Sequence, residues 1–290
     1  MLNDLYHALD PVAFSIGPLT VRWYGIAYML GFACAAPIIA RTARRWKINV
    51  SMDALSTIVF FVVLGVIVGG RLGYAVFYGN GYFFEHPAEI LALGKGGMSF
   101  HGGLIGVLVG GAIAARLTRI PFLTLGDLGA IAAPVGLFFG RCANFVNGEL
   151  WGAPTDAPWG VVFGGAAGMV ARHPTQLYEA TLEGIVLFAV LMVLAHRAPL
   201  RPRGLFLGAF LTLYGCARFA VEFVRLPDEQ LGYLYGGWLT MGQVLSVPLV
   251  LAGVALIAFA LIRRLPQEGA PTAGLPDASD DTDASHSAAA

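Results

Sequence analysis

Charge is what this chain has least of. Only 12% of its 290 residues are Asp, Glu, Lys or Arg, and 57% are hydrophobic; a typical soluble domain carries about 25% charged residues. That leaves too little polar surface to face water, which excludes an ordinary soluble domain and implies a multi-span membrane protein. Eighteen basic and 18 acidic residues cancel, so no global charge draws the chain to nucleic acid. Cysteine is scarce too. Cys34, Cys142 and Cys216 lie in apolar segments, an odd number with no spacing that builds a disulfide framework or a metal site. Buried thiols of this kind behave as small hydrophobes, although Cys142 and Cys216 sit beside polar motifs and either could touch a ligand. There is no Walker loop, no G-x-S-x-G elbow and no H-E-x-x-H helix, so neither a metal nor a cofactor is expected. No basic stretch precedes the first apolar run, and that run reaches spanning length, so no cleavable signal peptide is expected.

What is present is a series of apolar runs near the length of about 20 residues that crosses a bilayer as a helix. Seven are read, at roughly 20–40, 55–78, 99–116, 125–146, 177–196, 205–225 and 241–262, giving an all-α polytopic membrane protein. Lys and Arg concentrate on the cytoplasmic side of such spans. Eleven of the 18 (Arg41, Arg44, Arg45, Lys47, Arg116, Arg119, Arg197, Arg201, Arg203, Arg263 and Arg264) fall on one side if the N-terminus lies outside. Arg22, Lys95, Arg172 and Arg225 fall on the other. The expected topology is N-terminus out, C-terminus in.

With that topology the intramembrane polar residues Arg71, His101, Arg141, Asn144, Glu179, Glu183, Arg218 and Glu222 all lie in the outer half of their spans. A shared depth predicts one polar cavity opening outward. Residues 79–98 read as an interfacial hairpin or amphipathic segment on the outer surface. Residues 147–175, rich in Gly, Pro and Trp, read as a small ordered outer cap on a transmembrane domain covering 1–264. Residues 265–290 read as a disordered cytoplasmic tail without a catalytic role. Gly65, Gly69, Gly70 and Gly73, and Gly106, Gly110 and Gly111, suit close helix packing; Gly102 and Gly103, beside His101, are read as clearing space for a substrate.

The densest polar stretch is Gly140-Arg141-Cys142-Ala143-Asn144-Phe145-Val146-Asn147-Gly148-Glu149-Leu150-Trp151-Gly152. Charges beside lipid are costly and are kept for a ligand, a relay or an internal pair; here they point to the charged head of a lipid. Tyr214, Arg218 and Glu222 are spaced by four and share a helix face. Arg218–Glu222 is either a structural pair or a device in which the carboxylate orients a phosphate-binding fork. Two arginines about one cavity suggest an anionic ligand, and a phospholipid phosphate is the anion a bilayer supplies. His101 opens a span, either as a helix-end histidine or as a general base, because imidazole exchanges a proton near neutrality. His173 ranks below it. Trp23 suits interfacial anchoring, and Tyr24 could turn inward to the ligand.

In order along the chain, RWYG (22–25), GGRLGY (69–74), GGMSFHGGLIG (96–106), GRCANFVNGELWG (140–152), HPTQLYE (173–179) and YGCARFAVEFVRLPD (214–228) resemble the bacterial prolipoprotein diacylglyceryl transferases over about residues 10–264. Ala143 stands where many members have Gly, and Thr175 where many have Ser. The resemblance implies that a diacylglyceryl group passes from phosphatidylglycerol to the thiol of the lipobox cysteine of a preprolipoprotein, releasing glycerol phosphate, in the bacterial inner membrane with the site facing outward. It implies His101, Arg141 and Arg218 as catalytic groups, with the lipid also bound by Tyr24, Asn144, Asn147, Glu149, Gly152, Tyr214 and Glu222. A transporter would place polar residues at inner depths as well, and a lipid-binding scaffold would bind phosphatidylglycerol without turnover.

Overall fold

The computed structural model describes residues 1–17, 19–79, 81–92, 96–197, 200–227 and 232–271. Six helices among them are long and apolar enough to cross a membrane. These are α2 (Trp23–Trp46), α3 (Met52–Phe77), α5 (Phe100–Thr118), α6 (Phe122–Asn147), the run Thr175–His196 and α10 (Met241–Arg263). The run Thr175–His196 consists of α7 (Thr175–Glu179), a π-helical segment Ala180–Val186 and α8 (Leu187–His196). A seventh apolar helix, α9 (Leu205–Val221), is 17 residues long. It stops short of the expected 225 because the chain turns at 222–224 and Arg225 bridges to Gly152. The architecture is therefore the expected helical membrane bundle, with its sixth member shortened.

Local chemistry sets the helix ends. Ser51 and Ser99 accept from the amides of Ala54 and Gly102, and Thr240 with Gln243 forms a reciprocal capping box. Gly148, at φ 65°, closes α6 in the left-handed conformation. Glycines then set helix distances. A Cβ at Gly65, Gly69 or Gly106 would overlap the backbone of the facing helix, so α3 and α5 touch main chain to main chain. Gly102 belongs to this seam: a Cβ there would stand 2.9 Å from Gly73 Cα and closer still to Gly69 O. The reading of Gly102 as space beside the imidazole is corrected accordingly; Gly103 alone has room, with Val66 O at 3.8 Å.

At the end of the bundle where α2 finishes, Trp46 stacks on Phe206 at 5.0 Å among Ile131, Leu187 and Leu191. At the other end sits the cap. Its core is Phe145, Val161, Phe163 and Ala167, and its strands of main chain pair Val161 and Pro154 with Arg172. Two elements not foreseen from sequence join this end: α1 (Leu2–His7) and a hairpin of β1 (Val12–Ile16) and β2 (Leu19–Arg22). Tyr6 OH donates to Phe163 O at 3.4 Å, and Asn3 Oδ1 accepts from Val162 N at 2.9 Å. The segment read as interfacial contains α4 (Tyr82–Glu85) and a 3₁₀ turn Pro87–Leu91. Lys95 and residues 272–290 lie outside the described residues. Residues 265–271, assigned to a disordered tail, are instead bound to the bundle: Gln267 Nε2 donates to the buried Asp127 at 2.6 Å and Ala270 N to Asn49 O at 2.8 Å.

Candidate active site

The start of α7 is nailed down before its charges appear. Thr175 Oγ1 donates to Leu150 O at 2.9 Å and Gln176 Nε2 to Glu149 O at 2.5 Å, and both side chains are fully buried. One turn later comes Glu179, with no solvent contact, and four residues on, inside the π-helical segment, Glu183, equally buried. π turns inside α-helices are frequent at functional sites. Gly184 lets this wide turn lie directly against Phe138 of α6, its absent Cβ falling 2.7 Å from that of Phe138. The two carboxylates thereby face Arg141 near the end of α6 and Arg218 near the end of α9.

The contacts form one network. Glu179 Oε2 meets Arg141 Nε at 3.1 Å, while its Oε1 accepts from Arg218 Nη1 at 3.2 Å and Arg225 Nη1 at 3.0 Å. Glu183 Oε2 accepts from Arg141 Nη2 at 3.3 Å, and Glu222 pairs with Arg218 Nη1. Three arginines balance three glutamates, which is how such charges persist in an apolar bundle. The arginines keep a little exposure, 17% for Arg141 and Arg218, and the glutamates almost none. Among the described residues, Arg141 Nη1 and Arg218 Nε and Nη2 have no acceptor. Buried acceptors are also left over: Glu183 Oε1 and Asn147 Oδ1 have no donor among the described residues. The site thus offers both unspent guanidinium donors and unspent acceptors.

The other expected residues divide. Asn144 Nδ2 donates to Glu149 Oε1 at 2.6 Å and Asn147 Nδ2 to the same oxygen at 3.4 Å, so these amides first hold Glu149. Tyr24 accepts a hydrogen bond of 3.4 Å from Tyr28, and Tyr28 lies within electrostatic reach of Arg141 and Glu149. Tyr214 stacks on Phe210 and lies within electrostatic reach of Glu183 and Arg141. Glu222 rests on the first turn of α10, where a Cβ at Gly242 would stand 2.5 Å from its carboxylate. Gly152 has a packing reason of its own: a Cβ there would meet Val224 O at 2.5 Å and the side chains of His173 and Thr175 at 2.7 Å.

Two residues expected in one common cavity belong to the α3–α5 pair. Arg71 is bound to the carbonyls of Glu89, Ile90, Ala92, Gly96 and Gly97. His101 is exposed at the second position of α5, the helix whose glycines pack on α3. His173 is tied into the cap, its Nδ1 3.1 Å from Tyr178 OH, which also accepts from Trp159 Nε1 at 2.6 Å. Sequence reasoning set Glu179 and Glu183 level with Arg141 and Arg218 but did not name them as site residues, and it set Arg225 outside the spans. Carboxylates spaced by four inside an apolar run were the available signal.

A helical bundle of membrane-spanning length with a balanced arginine–glutamate cluster beneath an ordered cap is a polytopic membrane protein with a buried ionic network. The family described as "Prolipoprotein diacylglyceryl transferase" matches residues 11–259, and the chain belongs to it. The phosphatidylglycerol–prolipoprotein diacylglyceryl transferase of Methylococcus capsulatus is 50% identical over 260 residues, covering 89% of this chain and 98% of that protein. The protein of the same name from Methylocella silvestris is 49% identical over 265 residues, covering 89% and 96%. That from Nitrobacter hamburgensis is 46% identical over 286 residues, covering 96% and 97%.

Proposed function

We propose that this chain is a phosphatidylglycerol–prolipoprotein diacylglyceryl transferase acting on the lipobox cysteine of its protein substrate. The observation that carries the reading is the convergence of Arg141 and Arg218 on Glu179 with three guanidinium nitrogens unspent. The names of its relatives supply donor and acceptor. A phosphodiester entering the site takes the free donors, and hydroxyls of its glycerol head meet the unspent acceptors of Glu183 and Asn147, groups that are costly to leave buried and unpaired. The acceptor thiol gives its proton to His101, since thiolate is the reactive form. Sulfur then forms a C–S bond to the diacylglyceryl carbon as the C–O bond to phosphate breaks, and glycerol phosphate leaves with the extra charge held by the arginines. Tyr24, Asn144, Glu149 and Glu222 position the head group or the forks.

The lopsided basic residues support an orientation with the N-terminus and the site on the outer face of the bacterial inner membrane. Residues 1–264 form the transferase domain with 147–175 as outer cap, and the remainder is cytoplasmic. The donor arrives from the surrounding lipid. The test is direct: full-length protein, labelled phosphatidylglycerol and a lipobox peptide, scored for lipidated peptide. Arg141→Ala and Arg218→Ala are each expected to slow transfer by about 10²–10³-fold, the scale for losing a donor to developing charge. Wild-type rates in both variants would sink the phosphate assignment; a wild-type rate in His101→Asn would sink the base assignment alone. Lipid binding without product would favour a scaffold instead.

A further inference from the structure

Arg71 lies late in α3 and is only 5% exposed, yet it has no place in the chemistry above. Its guanidinium donates to five main-chain carbonyls. Nε reaches Ile90 at 2.7 Å, Nη2 reaches Glu89 at 2.6 Å and Ala92 at 3.3 Å, and Nη1 reaches Gly96 at 2.5 Å and Gly97 at 3.1 Å. The rings of Tyr74 and Phe83 sit 5.7 and 5.3 Å from its central carbon. A guanidinium carries five N–H donors in one plane, and every nitrogen of this one is engaged. It has little left to offer a lipid phosphate.

The carbonyls come from the stretch leading into α5. Two residues beyond Gly97, Ser99 N donates to Gly70 O at 2.8 Å, the carbonyl just before Arg71. Ser99 Oγ accepts from Gly102 N at 3.2 Å and so begins the helix. Gly97 is pressed against Tyr74, whose ring a Cβ would overlap. One turn of α3 therefore determines where α5 starts, and His101 is the second residue of α5.

We propose that Arg71 is a positioning residue for the transfer. It acts through the carbonyls of Glu89, Ile90, Ala92, Gly96 and Gly97 to hold the start of α5, and with it His101, in place, and it does not touch the donor lipid. The proposal rests on His101 as the base. Lysine keeps the charge but has three donors on one atom, too compact to bridge both flanks.

The experiment compares wild type, Arg71→Lys, His101→Asn and the double variant, as full-length protein in phosphatidylglycerol vesicles with a lipobox peptide. Gly97→Ala serves as a second perturbation of the same stretch, at a φ of +82° that disfavours a side chain. Arg71→Lys is expected to lower kcat by about tenfold or more, part of the 10²–10⁴-fold range of general-base catalysis, with KM for phosphatidylglycerol unchanged. The double variant is expected to be no slower than His101→Asn, because two changes acting through one group are not additive. Gly97→Ala should lower kcat in the same coupled way. A raised KM at unchanged kcat, effects that multiply in the double variant, or a kcat loss in Arg71→Lys that follows its thermal midpoint would each overturn the inference while leaving the base assignment standing. A wild-type rate in His101→Asn would overturn both.

Discussion

At Glu179 a single carboxylate without solvent contact is met by Arg141, Arg218 and Arg225. Removing one partner from a buried ionic group typically costs about 3–5 kcal/mol, because the other charges stay buried without compensation. Glu179→Gln keeps the shape and deletes the charge, leaving three guanidinium groups on two carboxylates. The expected result is a lower thermal midpoint in detergent together with transfer slowed by about 10²-fold, the cost of misplacing a charge-stabilising donor. Unchanged melting with an unchanged rate would mean that Glu179 does not organise the forks. The same residue shows where sequence reading stops. Arg71 and Arg141 look alike on the page, each one arginine in an apolar run, yet one is held by carbonyls and the other by carboxylates. The difference lies in partners 42 positions away for Arg141 and 18 for Arg71, which no local pattern encodes.

Helices were the most legible level, because spanning length and apolar content are local properties and bilayer thickness fixes the rest. The shortened α9 and the hairpin at 12–22 escaped, the first because its end depends on Arg225 reaching Gly152, the second because strands of five and four residues leave too short an alternation to read. Glycine roles were legible only as a class. Gly102 and Gly103 are neighbours in sequence, but only Gly102 lies in the seam against Gly69 and Gly73. Gly102→Ala is therefore expected to force α3 and α5 apart and to lower stability by about 1–3 kcal/mol, the usual scale for overpacking. Gly103→Ala should melt as wild type does. If instead Gly102→Ala kept its melting temperature and only raised KM for the peptide, the glycine would be clearing space for substrate and the seam would be incidental.

Across the whole molecule the two ends do different work. The charged cluster and cap occupy one end, and the other is tied shut by the residues that follow α10. Arg203 N donates to Leu265 O at 2.9 Å, and Asp127 Oδ2 accepts from both Gln267 and the amide of Gly204, the residue that caps α9. This strap was invisible in sequence because 265–271, with two prolines and a glycine, shows no periodicity; its order comes from the buried Asp127, 140 positions earlier. Two truncations separate strap from remainder. Ending the chain after Pro271 keeps every one of these bonds and should leave the thermal midpoint as it was. Ending it after Arg264 strips Asp127 of a donor, and a buried acceptor losing its partner costs about 1–3 kcal/mol, so the midpoint should fall. Transfer well below that midpoint should survive in both, because Arg141, Glu179 and Arg218 draw all their partners from the opposite end. Two truncated proteins melting together would show that the strap carries no load, and a rate lost only in the shorter one at low temperature would show that it reaches the site.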